Sequence, residues 1–251
     1  MNQSTASVYD RAAGNWARHE PVLLSDYTAR PFVLEACEPI AGLKVLDLGC
    51  GEGYVARQIA TRGAGSVIAC DISAGMIAQA RQAEAANPLG IDYRVGDACD
   101  PLGLAENDFD LVIAVFLFNY LDTAQTTAVM REAHRVLRPG GRFIYTVPHP
   151  LLPFFRPKQP PFWFDRGESG YFDGRDVLFE GRIWRRDGVD VPVRCVHKTF
   201  TDYFDAMTAA GFRAMPGVTE LRVTESHIEL DPAFFGPLAQ QPLHVMFELA
   251  K

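Results

Sequence analysis

Apolar residues gather along this chain in short runs, and helical spacing fills the gaps between them. Residues 45–48, 66–70, 91–95, 109–116 and 142–147 read as five strands. The fourth is almost continuously apolar, as a parallel strand covered on both faces should be. Residues 9–20, with Tyr9, Ala12, Ala13, Trp16 and Ala17 along one side, and about 25–37 predict two helices before the first strand. Further helices are predicted from residue 55, from Ser73 as cap to about residue 86, and over residues 123–137. Gly63 with Gly65, and Pro139 with Gly140 and Gly141, supply the stops.

After residue 147 the alternation breaks down. Prolines at 148, 150, 153, 157, 160 and 161 forbid a regular helix or a central strand, which predicts an inserted cap or a long loop over residues 148–198. The stretch is dense in rings, among them Phe154, Phe162, Trp163, Phe164, Tyr171, Phe172 and Trp184. Rings of this kind either wall a planar substrate or fasten the cap to the sheet. Order returns with a capped helix over residues 201–210, stopped by Gly211, and two strands at 218–223 and 244–249. The expected fold is α/β: a three-layer, doubly wound sheet of seven strands, mostly parallel, with one antiparallel strand from the closing hairpin and a cap after the fifth strand. Residues 1–147 would hold the N-terminal helices and the core, 148–198 the cap, and 199–251 the elements that complete the sheet.

Between the first strand and its helix stands Asp47-Leu48-Gly49-Cys50-Gly51-Glu52-Gly53. Glycines suit a tight turn where a ligand must approach bare backbone. Many nucleotide folds use such a turn, so the neighbouring charges decide the ligand. Asp47 and Glu52 would repel a pyrophosphate, whereas a cofactor with a cationic head and no phosphate, such as S-adenosylmethionine (SAM), suits them. The motif resembles the glycine-rich motif of class I SAM-dependent methyltransferases. Asp71 closes the second strand at about the spacing from the turn at which an acid accepts from ribose hydroxyls. Ile72 and Met76 either enclose an adenine ring or are plain core residues.

The resemblance implies more. Asp97, after the third strand, corresponds to the acid that accepts from the adenine amino group, and the next N–H, that of Ala98, to the one that donates to the ring. Ala114 and Phe116 end the fourth strand among the implied cofactor contacts, with Gly49, Cys50, Gly51 and Gly53 in the turn. Tyr9-Asp10 looks like the pair that begins a helix closing over the cofactor. Arg30 either meets the methionine carboxylate or is solvated. Leu137-Arg138-Pro139-Gly140-Gly141 is again similar to the family before its fifth strand. The likeness is specific over about residues 5–147 and looser beyond, where the chain is similar to bacterial small-molecule methyltransferases.

The acceptor should meet the methyl group beside residues 116–121. This segment has no Asn/Asp-Pro-Pro-Tyr, no Pro-Cys nucleophile and no metal-binding Asp-Asn pair. That points to small-molecule chemistry without a metal. Trp16, Asn119, Tyr120, Trp163, Tyr171 and Phe172 are the candidate substrate contacts, and His149 and His197 the candidate bases unless they are structural. His19, His134, His227 and His244 show no metal-ligand spacing and receive no role.

Composition narrows the partners. A net charge of −7 and pI near 5.4 argue against nucleic acid or an anionic membrane as the main partner. Five cysteines without C-x-x-C spacing suit reduced thiols in a cytoplasm rather than a disulfide framework or a zinc site. The first seven residues do not read as a signal peptide, and the longest apolar run falls far short of the ~20 residues a membrane helix needs. The expectation is a cytoplasmic monomer or homodimer that moves a methyl group from SAM to N or O of a small aromatic or heterocyclic secondary metabolite, leaving S-adenosylhomocysteine (SAH). A SAM- or SAH-binding protein without transferase activity and an NAD-dependent oxidoreductase are the alternatives.

Overall fold

A computed structural model of the protein describes residues 20–100 and 103–251. Tyr9 and Trp16 lie outside the described residues. Seven strands form one sheet: β1 Lys44–Leu48, β2 Ser66–Asp71, β3 Asp92–Val95, β4 Phe109–Val115, β5 Leu137–Pro148, β9 Gly217–Leu221 and β10 His244–Ala250. Their spatial order is β3-β2-β1-β4-β5-β10-β9. β10 runs antiparallel to both β5 and β9, and the pairs from β3 across to β5 are parallel, so among the described residues β10 is the one antiparallel strand of this sheet, as expected.

Strand alternation divides the core into two layers. Leu46, Val112, Ala114, Phe143 and Tyr145 pack on one face with α5 (Thr123–Val136) and α7 (Phe200–Ala210). Val45, Leu111, Ile113 and Ile144 pack on the other with α2 (Arg30–Ala36), α3 (Tyr54–Thr61) and α4 (Ala74–Ala86). Each side chain points opposite to its neighbour, and both faces are covered, which is why the strands look uniformly apolar in sequence. The chain crosses from β3 back to β4 beside β1, and such a reversal opens a crevice at the carboxyl ends of the strands.

Three expectations need correction. The single helix expected over 25–37 is two, α1 (Leu24–Thr28) and α2, broken at Ala29 with φ −138° and ψ −59°. Pro31 lacks the N–H that a continuous helix would donate to Tyr27, and its ring excludes that carbonyl. β5 begins at Leu137 rather than Arg142: Leu137 pairs with Phe109, residues 138–141 bulge out, and Arg142 resumes opposite Leu111. The proline-rich stretch is more regular than expected. After the short helix α6 (Leu152–Phe155) it forms an antiparallel sheet of β6 Phe162–Asp165, β7 Leu178–Trp184 and β8 Asp190–Val196.

The prolines fall where such a sheet tolerates them. Pro153 is in the first turn of α6, Pro160 and Pro161 precede β6, and Pro192 lies on the edge strand β8. β7 and β8 alternate cleanly, with Phe179, Gly181 and Ile183 and then Val191, Val193 and Cys195 turned inward. Two further helices that the sequence did not suggest, α8 (Glu225–Leu230) and α9 (Pro232–Phe235), precede β10. Phe235, Leu238 and Leu243 from this region join the inward side of the cap in a third apolar cluster with Leu23 and Leu24.

Candidate active site

The glycine turn connects β1 to α3 and is anchored to the end of β2. The N–H groups of Gly49 and Cys50 both donate to the Cys70 carbonyl, at 2.8 and 3.0 Å. Gly53, the cap of α3, has φ +87°, and a Cβ there would overlap the Tyr93 hydroxyl. Gly51 has φ +56°, and a Cβ there would meet no protein atom within 4 Å. The first position is closed by the fold, and the second opens onto space for a ligand.

Three acids converge on this turn. Oδ2 of Asp71 accepts from Gly51 N–H and Oδ1 from Ser73 N–H, each at 2.9 Å, so the carboxylate is fixed in orientation. Oδ1 of Asp97 accepts from Cys99 N–H at 2.9 Å in a local turn. Asp47 is 1% exposed, and its Oδ2 has no hydrogen-bond partner. Burial, with Asp71 and Glu52 adding negative charge, pushes its carboxyl up to about 8, although Arg30 opposes this. A buried carboxyl oxygen without a donor, in a negative field, is the environment a cationic ligand group relieves.

Arg30 enters from α2. Its Nη1 donates to Ser25 Oγ and to Asp26 Oδ1, the latter at 2.8 Å, and its guanidinium lies 5.5 Å over the Phe116 ring. Phe116 itself has φ +62°, a strained setting for a residue with a Cβ. Its N–H still donates to Thr146 at 3.0 Å, so β4 keeps its register while its end turns toward the cavity.

These groups line one cavity of about 370 Å³, within the size range of small-molecule sites. One half is formed by Arg30, Asp47, Gly49, Cys50, Gly51, Asp71, Ile72, Met76, Asp97 and Ala98, the predicted cofactor contacts. The other half is built by Asn119 and Tyr120 together with Phe162, Phe164, Ile183 and Val193 from the inward side of the cap. Phe116 stands on the lining with His244. Cys50 and Cys99 also reach it, but burial pushes the Cys50 thiol well up and that of Cys99 up to about 12, so neither is a thiolate nucleophile at neutral pH.

Several predicted residues stand outside this lining. Ala114 faces the core layer of α5 and α7, since β4 alternates. Gly53 packs against Tyr93. His149 is fully occupied: Nδ1 accepts from Leu151 N–H at 3.2 Å, leaving Nε2–H for Glu220 at 2.9 Å. His197 donates from Nε2 to the Tyr171 carbonyl at 2.8 Å and stacks on Phe179. Burial lowers the pKa of both rings. Trp163 lies between the inward Phe162 and Phe164 and so points the other way. Tyr171 accepts from Phe200 N–H at 3.0 Å, and Phe172 is 77% exposed. Of the inward cap residues, Phe162 and Phe164 belong to the rings expected to wall a substrate, whereas sequence reasoning missed Ile183 and Val193, for which the alternation in β7 and β8 was the available signal. It also missed His244, where no local signal existed, because β10 is placed beside β5 only by the fold.

Comparison with known proteins agrees with this geometry. Residues 45–141 match the profile of a protein family described as a methyltransferase domain. The chain is 32% identical over 151 residues to a malonyl-[acyl-carrier protein] O-methyltransferase of Enterobacter lignolyticus, a match covering 57% of this chain and 53% of that protein. It is 31% identical over 154 residues to a demethylmenaquinone methyltransferase of Paenarthrobacter aurescens, covering 60% and 58%. The chain therefore spans little more than half the length of these curated relatives. A crystal structure of a SAM-dependent methyltransferase from Mesorhizobium loti superposes with a TM-score of 0.67 at 27% identity, covering 90% of this chain and 99% of that one.

Proposed function

We propose that this chain, which carries a methyltransferase domain and the class I Rossmann-like fold of SAM-dependent methyltransferases, moves a methyl group from SAM to N or O of a small aromatic or heterocyclic acceptor. The observation that carries the reading is the partnerless Oδ2 of the buried Asp47, set in a cavity that continues without interruption under the apolar cap. The residues present fit the cofactor. Asp71, already oriented by Gly51 and Ser73, offers a carboxylate to a ribose diol. Ile72 and Met76 border the place for adenine, with Asp97 and Ala98 at its edge. Arg30 offers a guanidinium to a carboxylate, and Asp47 answers a cationic head.

When bound, SAM supplies an electrophilic methyl on a sulfonium, which is already a good leaving group. The protein's task is alignment and exclusion of water. Phe162, Phe164, Ile183 and Val193 give the acceptor half an apolar wall that suits a planar ring. The two curated relatives are named for malonyl-[acyl-carrier protein] and for demethylmenaquinone. We favour the ring-bearing class because of this wall, and a natural product or other secondary metabolite within it. The test is SAH release from SAM over a panel of phenols, quinols, heterocyclic N–H compounds and carboxylates. Turnover confined to ring O–H or N–H acceptors supports the reading; turnover confined to carboxylates overturns the acceptor class.

A further inference from the structure

Among the described residues, His244 is the histidine on the cavity lining, and the cofactor reading leaves it unused. Its tautomer follows from its neighbours. The Thr28 hydroxyl donates to the Leu24 carbonyl at 3.0 Å, so its proton is committed. The 3.2 Å contact between Thr28 Oγ1 and His244 Nε2 therefore has the nitrogen as donor, which leaves Nδ1 with a bare lone pair. That Nδ1 is buried without a hydrogen-bond partner, in a ring 1% exposed. Phe116 and Phe162 flank the ring at 5.0 and 5.7 Å between centroids, so its polar partner must come from elsewhere. Burial, together with the charge of Arg30 and the nearby His149, keeps the ring neutral, its pKa lowered to about 3.

A second residue on the same lining carries an atom of the same character. Asn119 donates from Nδ2 to the Arg194 carbonyl at 3.2 Å, which fixes its amide, and its Oδ1 is buried without a partner. Leaving a buried acceptor unsatisfied costs free energy comparable to a lost hydrogen bond, so two of them on one cavity are a signature of a ligand that brings donors.

We propose that His244 Nδ1 and Asn119 Oδ1 recognise the methyl acceptor, each accepting a hydrogen bond from it, so that the substrate is a neutral ring compound bearing O–H or N–H donors. A carboxylate offers neither atom a hydrogen and is repelled by both lone pairs. This inference rests on the methyltransferase reading of the cavity and adds its substrate class.

The test uses SAH-loaded protein labelled with ¹⁵N-histidine and three probes: naphthalene-2,3-diol, its dimethyl ether and 2-naphthoate. The His244 resonances should report Nε2–H with an unprotonated Nδ1, and the diol should shift Nδ1. The diol should bind at least about tenfold more tightly than the ether or the carboxylate, a difference of about 1.4 kcal/mol, and His244→Phe should reduce that preference. An Nδ1 resonance that the diol leaves in place, or equal affinity for the diol and its ether, would overturn the proposal. The resonance is read on the unmodified protein, so the outcome does not depend on the variant folding. Failure of the unmodified protein to bind SAH in calorimetry would instead sink the methyltransferase reading beneath it.

Discussion

The backbone N–H of Gly51 donates to Oδ2 of Asp71 across 2.9 Å, which locks the glycine turn after β1 to the acid that ends β2. The same carboxylate takes Ser73 N–H on its other oxygen, so two adjacent crossovers share one anion. Asp71 thus shapes the turn as well as offering lone pairs to a ligand. Replacing it with Ala should weaken SAH binding by roughly 1–3 kcal/mol, measured by titration calorimetry. Affinity equal to that of the unmodified protein would remove Asp71 from the site.

Asp47 makes stability depend on pH in the direction opposite to most carboxylates. Its pKa in the folded protein is raised to about 8 from 3.8, chiefly by burial. A raised acid binds a proton that the unfolded chain has released, so its contribution is fully present below pH 3.8 and is lost as pH rises through 8. Asp47→Asn should therefore raise the Tm of the ligand-free protein at pH 8 relative to the unmodified protein, with the gap narrowing toward pH 4. Binding of SAM at pH 7 should release protons, detected as a dependence of binding heat on buffer ionisation enthalpy. No proton release would show that Asp47 does not answer the cationic head.

Gly53 and Gly51 should separate fold from ligand. Gly53→Ala adds a Cβ against Tyr93 at φ +87° and should cost about 1–3 kcal/mol of stability in denaturant unfolding. Gly51→Ala meets no protein atom, so it should cost only about 1 kcal/mol for its φ while reducing SAH affinity far more. The reverse ranking would place the ligand elsewhere.

Val193 tests the other half of the cavity. Val193→Phe adds volume on the inward side of β8, beside Phe164 and Ile183, and should raise KM for the acceptor or abolish turnover, with SAH affinity held within about threefold, under ~1 kcal/mol. Steady-state kinetics beside calorimetry checks this. Unchanged acceptor kinetics would detach the cap from the substrate.

The cofactor half is legible in sequence because its residues sit at or just past strand ends: Asp71 and Asp97 each accept an N–H two residues on, and the Gly51–Asp71 contact joins neighbouring crossovers. The acceptor half is not, because it is made by distant pairings. Phe162 and Phe164 face the cavity only because β6 pairs with β7, and His244 arrives beside Phe116 through β10. His149 and His197 stand near strand ends, yet both ring nitrogens of His149 are spent on Glu220 and Leu151, and Nε2 of His197 on Tyr171. No local pattern signals the two distant partners, since Glu220 belongs to β9 and Tyr171 to the loop before β7. The prolines of the cap look like breakers in sequence, although their places at strand margins and on an edge leave the alternation intact.

Titration calorimetry of the protein with SAH, run beside NADH, bears most directly on the identity of the cofactor. Asp47, which ionises when a cationic head arrives and gains no such partner from a pyrophosphate, predicts with the neighbouring Glu52 binding of SAH in the micromolar range and none of NADH. Binding of NADH without SAH would overturn the assignment of SAM to this cavity.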